Sequence, residues 1–157
     1  MCFMRIAADV MGGDGGCAVI VDGLLQALEY HDHIRTMYLV GDEENIRVSL
    51  GQAGHLASRI EVVHSPEVLS MEEKPVVGLR RKKKCSLAMA TDLVKHGQAD
   101  AVLSAGNTGG MVAAASIKLR TLPGVDRPGI ATVMPTKTSN FVLLDAGANV
   151  EGKPRHL

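Results

Sequence analysis

The stretch Arg5-Ile-Ala-Ala-Asp9-Val-Met-Gly-Gly-Asp14-Gly-Gly-Cys-Ala18 decides the fold class, because it leads from a short apolar run into a segment of helical period. Arg5 to Asp9 predicts a buried strand, and Ala18 to Tyr30 predicts a helix with one apolar face. The glycines between them predict a turn. A strand, a turn and a helix in this order form the start of a βα unit.

The rest of the chain continues the alternation of strands and helices. Further strands are expected at 36–40, 60–64, 101–104, 129–134 and 141–145, and further helices at 43–50, 76–96 and 108–119. The helix at 76–96 is expected in two pieces, because the basic run Arg80–Lys84 interrupts its apolar face, and Gly97 is expected to end it. The last two strands are joined by only about six residues, too few for a helical crossover, so this pair is expected to be antiparallel. The pattern predicts an α/β fold with an open, mostly parallel, three-layer α/β/α sheet.

Composition excludes several classes of function. The 157 residues are 46% hydrophobic, enough for one α/β core, and the net charge is zero, with 17 basic and 17 acidic side chains. Aromatic residues make up 3% and Trp is absent, which argues against nucleic-acid partners. Three cysteines without a CxxC pair indicate a reducing, cytoplasmic setting, and no apolar run approaches the ~20 residues of a membrane span. Neither a P-loop nor an HExxH motif occurs, so we expect no metal and no cofactor.

The end of the chain bears on domain organisation. It stops about a dozen residues after the last expected strand, where an α/β unit places its next helix. We therefore expect residues 1–157 to be the N-terminal part of one α/β domain whose C-terminal half is absent.

The turn after the first strand is the first candidate site, since ligands of open α/β sheets bind beyond the carboxyl ends of the strands. Gly12 and Gly13 let the backbone approach a ligand, and the helix start that follows favours an anion. The alternative is that these glycines serve only a tight turn. Asp9 and Asp14 repel a phosphate, so we expect them to cap the helix or to hold a lysine. Cys17, near the helix start, is a further candidate as an acyl acceptor.

The turn Ser104-Ala-Gly-Asn-Thr-Gly-Gly110 is the second candidate site. Thr108 is the expected N-cap of the following helix, which leaves the Asn107 amide to donate to an oxyanion. Gly106 and Gly109 expose backbone N–H groups suited to phosphate or to a tetrahedral oxyanion. The alternative is that small residues merely let this helix pack closely on the sheet.

A third turn, Asp145–Asn149 followed by Lys153, places an acid, an amide and a cation near the end of another strand.

A rival interpretation of the first turn also stands. Gly13 to Ala18 fits GxGxxA between a strand and a helix, and Asp42 ends the second strand where a ribose-binding acid belongs. That pattern predicts an NAD(P)-binding Rossmann-type domain.

Taken together, these turns resemble the bacterial acyl-ACP:phosphate acyltransferase family (PlsX), in its N-terminal half. The stretches that carry the resemblance run in the family's order over nearly the whole chain: MRIAADVMGGD at Met4 to Asp14, YLVGDEENI at Tyr38 to Ile46, MEEKPVVGLRRKKKCS at Met71 to Ser86, SAGNTGG at Ser104 to Gly110, DRP at Asp126 to Pro128 and LLDAGANV at Leu143 to Val150. The chain departs from the family pattern at Val10, where the family has Ala, and at Gly15-Gly16-Cys17, where it has a His-Ala-Pro-like continuation. The resemblance implies a fold similar to phosphotransacetylases and isocitrate dehydrogenases.

The resemblance also implies an activity and a site. Phosphate attacks the thioester of acyl-acyl carrier protein and acyl-phosphate forms, in phospholipid and fatty acid biosynthesis. The implied catalytic residues are Asn107, Ser104, Asp9 and Asp14. The implied phosphate or substrate ligands are Gly12, Gly13, Gly106, Thr108, Gly109, Lys137, Asn149 and Lys153. The alternative is a non-catalytic fragment that binds phosphate or carrier protein.

The implied partners are inorganic phosphate and acyl carrier protein, which is strongly acidic. The basic run Arg80, Arg81, Lys82, Lys83 and Lys84 is the expected docking surface for the carrier, and a solvated basic helix end is the alternative. A homodimer, and a peripheral association with the inner face of the membrane through the missing half, are also expected.

Overall fold

A computed structural model describes residues 3–51, 54–125 and 128–146. The chain divides into two compact units, Met1–Leu119 and Arg120–Leu157. The assignment of residues 1–157 to one domain stays a prediction. Within the described ranges, no helix combines the length and the apolar character needed to cross a bilayer.

The first unit alternates strands and helices as the sequence predicts. Its elements are β1 (Met4–Asp9), α1 (Gly16–Tyr30), β2 (Ile34–Gly41), α2 (Glu43–Leu50), a 3₁₀ helix (Gly54–Arg59), β3 (Ile60–His64), α3 (Pro75–Arg81), α4 (Ser86–Lys95), β4 (Ala101–Ser104) and α5 (Thr108–Lys118). The predicted bounds of α2, β3 and β4 are confirmed. The structure corrects the other bounds: α1 begins two residues before Ala18 and β2 extends beyond 36–40 at both ends, whereas β1, α3, α4 and α5 differ from the prediction by one residue at an end.

The four strands form one parallel sheet in the order β3-β2-β1-β4. The chain moves outward from β1 to β2 and β3, and then crosses back to place β4 on the other side of β1. The strand order therefore reverses between β1 and β4. Such a reversal opens a crevice at the carboxyl ends of the two strands, which is where open α/β sheets bind ligands.

Helices cover both faces of this sheet, which confirms the three-layer architecture. Ala8 and Leu39 pack with apolar residues of α1 and α2 in one core cluster. Their neighbours in sequence, Ala7 and Val40, pack with α4 in another. Consecutive strand residues point to opposite faces, so one strand supplies both cores.

Two polar links hold the edge opposite the crevice. The Arg59 guanidinium donates to the carbonyl oxygens of Leu28, His31 and Ile34 at 2.6–3.0 Å and so ties the end of α1 to the start of β2. Arg5, in β1, pairs with Asp100, just before β4, at 2.7 Å. The Arg5 side chain, and then its backbone N–H, lower the pKa of Asp100 to about 2.

The segment that carries the basic run breaks into two helices, as predicted. α3 ends at Arg81, α4 begins at Ser86, and residues 82–85 connect them. A third core cluster joins Leu79 of α3, Leu87 of α4 and Ala114 of α5. The three helices therefore pack against one another.

The second unit contains β5 (Ala131–Pro135) and β6 (Asn140–Leu144), which pair antiparallel. The antiparallel prediction is thus confirmed, although the bounds differ from the expected 129–134 and 141–145. β5 starts two residues and ends one residue later than expected, and β6 starts and ends one residue earlier. Thr136 closes the turn, since its Oγ1 accepts a hydrogen bond from the Ser139 N–H at 2.9 Å.

Candidate functional site

The candidate site starts at the last residues of two neighbouring strands. Asp9 ends β1 and Ser104 ends β4, and the two residues pair in register. The Ser104 hydroxyl donates to Asp9 Oδ2 at 2.8 Å, and Asp9 is only 4% exposed. A hydrogen bond to a carboxylate in such a setting is stronger than a neutral one. It joins the two strands at the reversal of strand order.

Both side chains also hold their own loops. Asp9 Oδ1 accepts from the Met11 N–H at 3.2 Å, and Ser104 Oγ accepts from the Gly106 N–H at 3.1 Å. One connected network therefore fixes the turns after β1 and β4. The Gly106 N–H is used inside this network, so it corrects the expectation that this group faces an anion.

The two loops touch through their glycines. A Cβ atom on Gly12 would lie 2.8 Å from the Gly106 Cα and 2.9 Å from Asp9 Oδ2, and a Cβ on Gly106 would lie 3.0 Å from the Gly12 Cα. Gly13 has a φ of 97°, and its Cβ would lie 2.9 Å from the Ala105 carbonyl oxygen. Only glycine fits such backbone contact, so these glycines bring one loop against the other.

Asn107, and not Thr108, is the N-cap of α5. Its Oδ1 accepts from the Gly110 N–H at 2.9 Å, which corrects the predicted cap. Its amide nitrogen donates to the Met71 carbonyl at 3.0 Å. An amide carries two N–H donors, and the second has no partner among the residues that the structure describes. The oxyanion role of Asn107 stays a prediction.

The first turn of α5 supplies backbone donors. The first N–H groups of a helix have no acceptor within it, and those of Thr108 and Gly109 have no partner in the described part of the chain. Both residues are exposed. Because the helix dipole adds positive potential at this end, an anion is favoured here.

The expected capping of α1 by a carboxylate is wrong. The N-cap is Gly15, without a side-chain hydrogen bond, and Asp14 is exposed. Neither Asp9 nor Asp14 forms an ion pair with a lysine among the residues described. Asp9 instead orients Ser104 and its own turn.

Three of the predicted anion ligands, Lys137, Asn149 and Lys153, lie near the end of the chain. Lys137 is exposed in the turn between β5 and β6, in the second unit. Asn149 and Lys153 lie outside the described residues, so all three assignments stay predictions. In the described ranges, no three His, Cys, Asp or Glu side chains come together as metal ligands.

The structure divides the basic run. Arg80, Arg81, Lys83 and Lys84 are exposed, whereas Lys82 is half-buried. Lys82 Nζ pairs with a Glu73 carboxylate oxygen at 2.7 Å and donates to the Val68 carbonyl at 2.8 Å. Lys82 therefore fixes the loop before α3, which leaves four cations to face a partner.

Two other candidates lose support. Burial raises the pKa of the Cys17 thiol, against a smaller lowering by a hydrogen bond from Ser49, which opposes the thiolate that acyl transfer needs. Asp42, the candidate ribose ligand, caps α2 instead, because its carboxylate accepts from the Asn45 N–H at 3.0 Å.

Sequence reasoning missed the segment before α3 as part of the site. Met71 supplies the carbonyl that orients Asn107, and a Cβ on Gly110 would lie 2.7 Å from a Leu69 methyl carbon. This segment therefore packs over the start of α5. Its composition gives no signal of the contact, since the residues it meets lie about 35–40 positions later in the chain.

Comparison with known proteins now decides the family. The profile of a family described as fatty acid synthesis protein matches residues 4–157. The chain belongs to this family. A phosphate acyltransferase from Akkermansia muciniphila is 48% identical over 154 residues, which cover 98% of this chain and 44% of the relative. One from Erythrobacter litoralis is 43% identical over 158 residues, which cover 100% of this chain and 44% of that protein.

The fold also has a solved counterpart. EutD phosphotransacetylase from Staphylococcus aureus matches with a TM-score of 0.59 and 24% identity, over 95% of this chain and 48% of that one. This confirms the expected fold class. The chain spans less than half the length of the curated relatives it matches, at 44% of both proteins above.

Proposed function

We propose that this chain supplies part of the active site of a phosphate acyltransferase, which forms acyl-phosphate from an acyl thioester and inorganic phosphate. The observation that carries the proposal is the joined pair of loops after β1 and β4, held by the 2.8 Å bond between Ser104 and Asp9. The names of the relatives support the same reaction class.

The proposed reaction does not require a strong general acid from the protein. A phosphate oxygen attacks the thioester carbonyl, and a tetrahedral oxyanion forms. The carbon–sulfur bond then breaks, and the thiolate leaves and takes up a proton. A thiolate is a good leaving group, so the main tasks are to bring two anions together and to stabilise the oxyanion.

The residues present suit those tasks. The N–H groups of Thr108 and Gly109, with the second N–H of Asn107, receive phosphate or the oxyanion. Asp9 and Ser104 act as positioning residues that hold the loops. Lys137, Asn149 and Lys153 remain proposed as further anion ligands.

Acyl carrier protein is the proposed acyl donor. Its acidic surface suits the exposed cations of the basic run, which raise the rate of encounter over a distance of about one Debye length, roughly 10 Å at 0.1 M salt. Supported by the family resemblance alone, a cytoplasmic homodimer with peripheral attachment to the inner face of the membrane is also proposed.

The test is an assay for acyl-phosphate, trapped with hydroxylamine, with acyl-acyl carrier protein and phosphate as substrates. It is run on this chain and on the chain joined to the remaining part of the Akkermansia muciniphila relative. Formation of acyl-phosphate with equal release of carrier thiol confirms the proposal. Carrier binding without turnover in both proteins refutes it and favours the non-catalytic alternative.

A further inference from the structure

A groove of about 440 Å³ lies where α3, α4 and α5 meet, and its lining includes no residue of the loops after β1 and β4. It is lined by Leu79, Arg80, Lys83, Asp92, Lys95, Ala114, Ile117 and Lys118. Four of these side chains are cations and one is a carboxylate, so the groove is strongly positive in a chain of zero net charge.

Three of the four cations are free to meet a partner. Lys118 pairs with Asp92, which neutralises the single carboxylate. Arg80, Lys83 and Lys95 have no ion-pair partner in the ranges that the structure describes. The free charge is therefore spread along one side of the molecule by two helices and their connection.

The backbone around the groove argues against a bound phosphate. Arg80, Lys95 and Lys118 stand in the last turns of α3, α4 and α5, where helices present carbonyl oxygens and the negative end of the dipole. A small anion would meet no backbone N–H groups there. The attraction comes only from long, mobile side chains, which suits a solvated acidic surface of a macromolecule.

The floor of the groove adds an apolar contact. Leu79 and Ala114 are buried, and Ile117 stands on the wall with 54% of its surface exposed. An apolar floor within a rim of cations matches an amphipathic helix whose polar face is acidic.

We propose that this groove docks an acidic helix of acyl carrier protein. The inference rests on the proposed function, which supplies the acidic carrier. Of the basic run, only Arg80 and Lys83 belong to the proposed docking surface. The surface also includes Lys95 and Ile117, which lie outside the run. Lys84, exposed but not a lining residue, is not part of the surface.

The test measures the affinity of the chain for purified bacterial acyl carrier protein, labelled with a fluorophore on its pantetheine thiol, at low and at physiological salt. Lys95→Glu and Lys83→Glu are each expected to raise the Kd by about 5–10-fold at low salt and to flatten its salt dependence. Ile117→Ser is expected to raise the Kd by about 3-fold and to leave the salt dependence unchanged. Lys84→Glu, which makes the same charge change, is the matched control and is expected to change the Kd by less than about 2-fold. Circular dichroism melts check that each variant folds. If Lys95→Glu does not fold, Lys83→Glu replaces it, because Lys83 lies outside the helices.

Several results would overturn the inference. Equal losses in Lys84→Glu and Lys95→Glu would show a diffuse charge effect, and unchanged binding in every variant would exclude the groove. Competition by inorganic phosphate at constant ionic strength would make it a small-anion site. Because binding needs no turnover, carrier binding that depends on Lys95 in a protein that forms no acyl-phosphate would support the groove and refute the proposed reaction. Acyl-phosphate formation, together with normal carrier binding by the groove variants, would support the proposed reaction and refute the groove.

Discussion

Replacing Ser104 with Ala tests whether the bond between Ser104 and Asp9 holds the two loops together. The change removes the hydroxyl that donates to a carboxylate only 4% exposed, and that accepts from the Gly106 N–H. A hydrogen bond to a charged group contributes about 1.5–3 kcal/mol, and the N–H left without an acceptor adds up to about 1 kcal/mol. The expected loss in the free energy of unfolding is therefore about 1.5–4 kcal/mol.

Urea unfolding followed by circular dichroism measures this loss, and thermal melts should show a midpoint lower by roughly 3–16 °C for a chain of this size. Ser116→Ala is the matched control. Ser116 is also half-buried, but its hydroxyl donates to the Val112 carbonyl at 2.6 Å, which lies one turn earlier in the same helix, α5. The bond therefore joins no separate parts of the fold. That variant is expected to change stability by less than about 0.5 kcal/mol.

A double-mutant cycle with Asp9→Ala separates the bond from the other effects of each change. The coupling energy between the two sites is expected to be about 2 kcal/mol, since the residues contact each other directly. A coupling energy below about 0.5 kcal/mol, or equal losses in Ser104→Ala and Ser116→Ala, would refute the reasoning.

Three further predictions concern other parts of the molecule. Asn107→Asp keeps an acceptor for the Gly110 N–H but loses the amide, so in a protein that turns over it should lower acyl-phosphate formation by roughly 10² with α5 intact; unchanged turnover would remove the oxyanion role. Arg59→Lys should lower the free energy of unfolding by about 2 kcal/mol in urea titrations, because a single ammonium nitrogen cannot reach all the carbonyls that three separate guanidinium nitrogens contact. The exposed Arg35→Lys should leave the free energy unchanged, and similar losses in both variants would contradict this reasoning. The pairing with Arg5 lowers the pKa of Asp100 to about 2, so the stabilisation of the fold by this pair is complete above the pKa of an unfolded Asp and is lost as pH falls towards 2. The difference in urea midpoint between the native chain and Asp100→Asn should thus be larger at pH 5 than at pH 3, and a difference independent of pH would count against the Arg5 pairing.

The sequence predicted elements best where local signals agree. The bounds of β3 and β4 follow from short apolar runs with polar or glycine flanks, and α2 follows from Asp42, a good cap, and from Gly51, a good stop. The start of α1 was missed because Gly15 and Gly16 carry no side-chain signal for a helix start.

Long-range contacts explain what the sequence could not predict at the site. Asn107 and Thr108 are both good N-caps by type, and the Met71 carbonyl, 36 residues earlier, fixes the choice of Asn107. By sequence, Lys82 is indistinguishable from the exposed cations beside it. In the structure it pairs with Glu73, nine residues earlier, and is half-buried. Lys95 and Ile117 lie on separate helices, and only the packing of α4 and α5 places both in one groove.

Asp9 poses the sharpest physical question at the candidate site, since a carboxylate repels the phosphate that the site is proposed to bind. The hydrogen bonds supply an answer. The Ser104 hydroxyl donates to one carboxylate oxygen and the Met11 N–H to the other, so local donors engage both oxygens, and Gly12 packs against the side chain. Donors of this kind spread and offset the negative charge, whereas the free N–H groups at the start of α5 stay exposed to solvent. The carboxylate therefore holds the two loops in place, and the start of α5 is left to bind the proposed anion. With its charge offset in this way, Asp9 can lie in the same crevice as the phosphate.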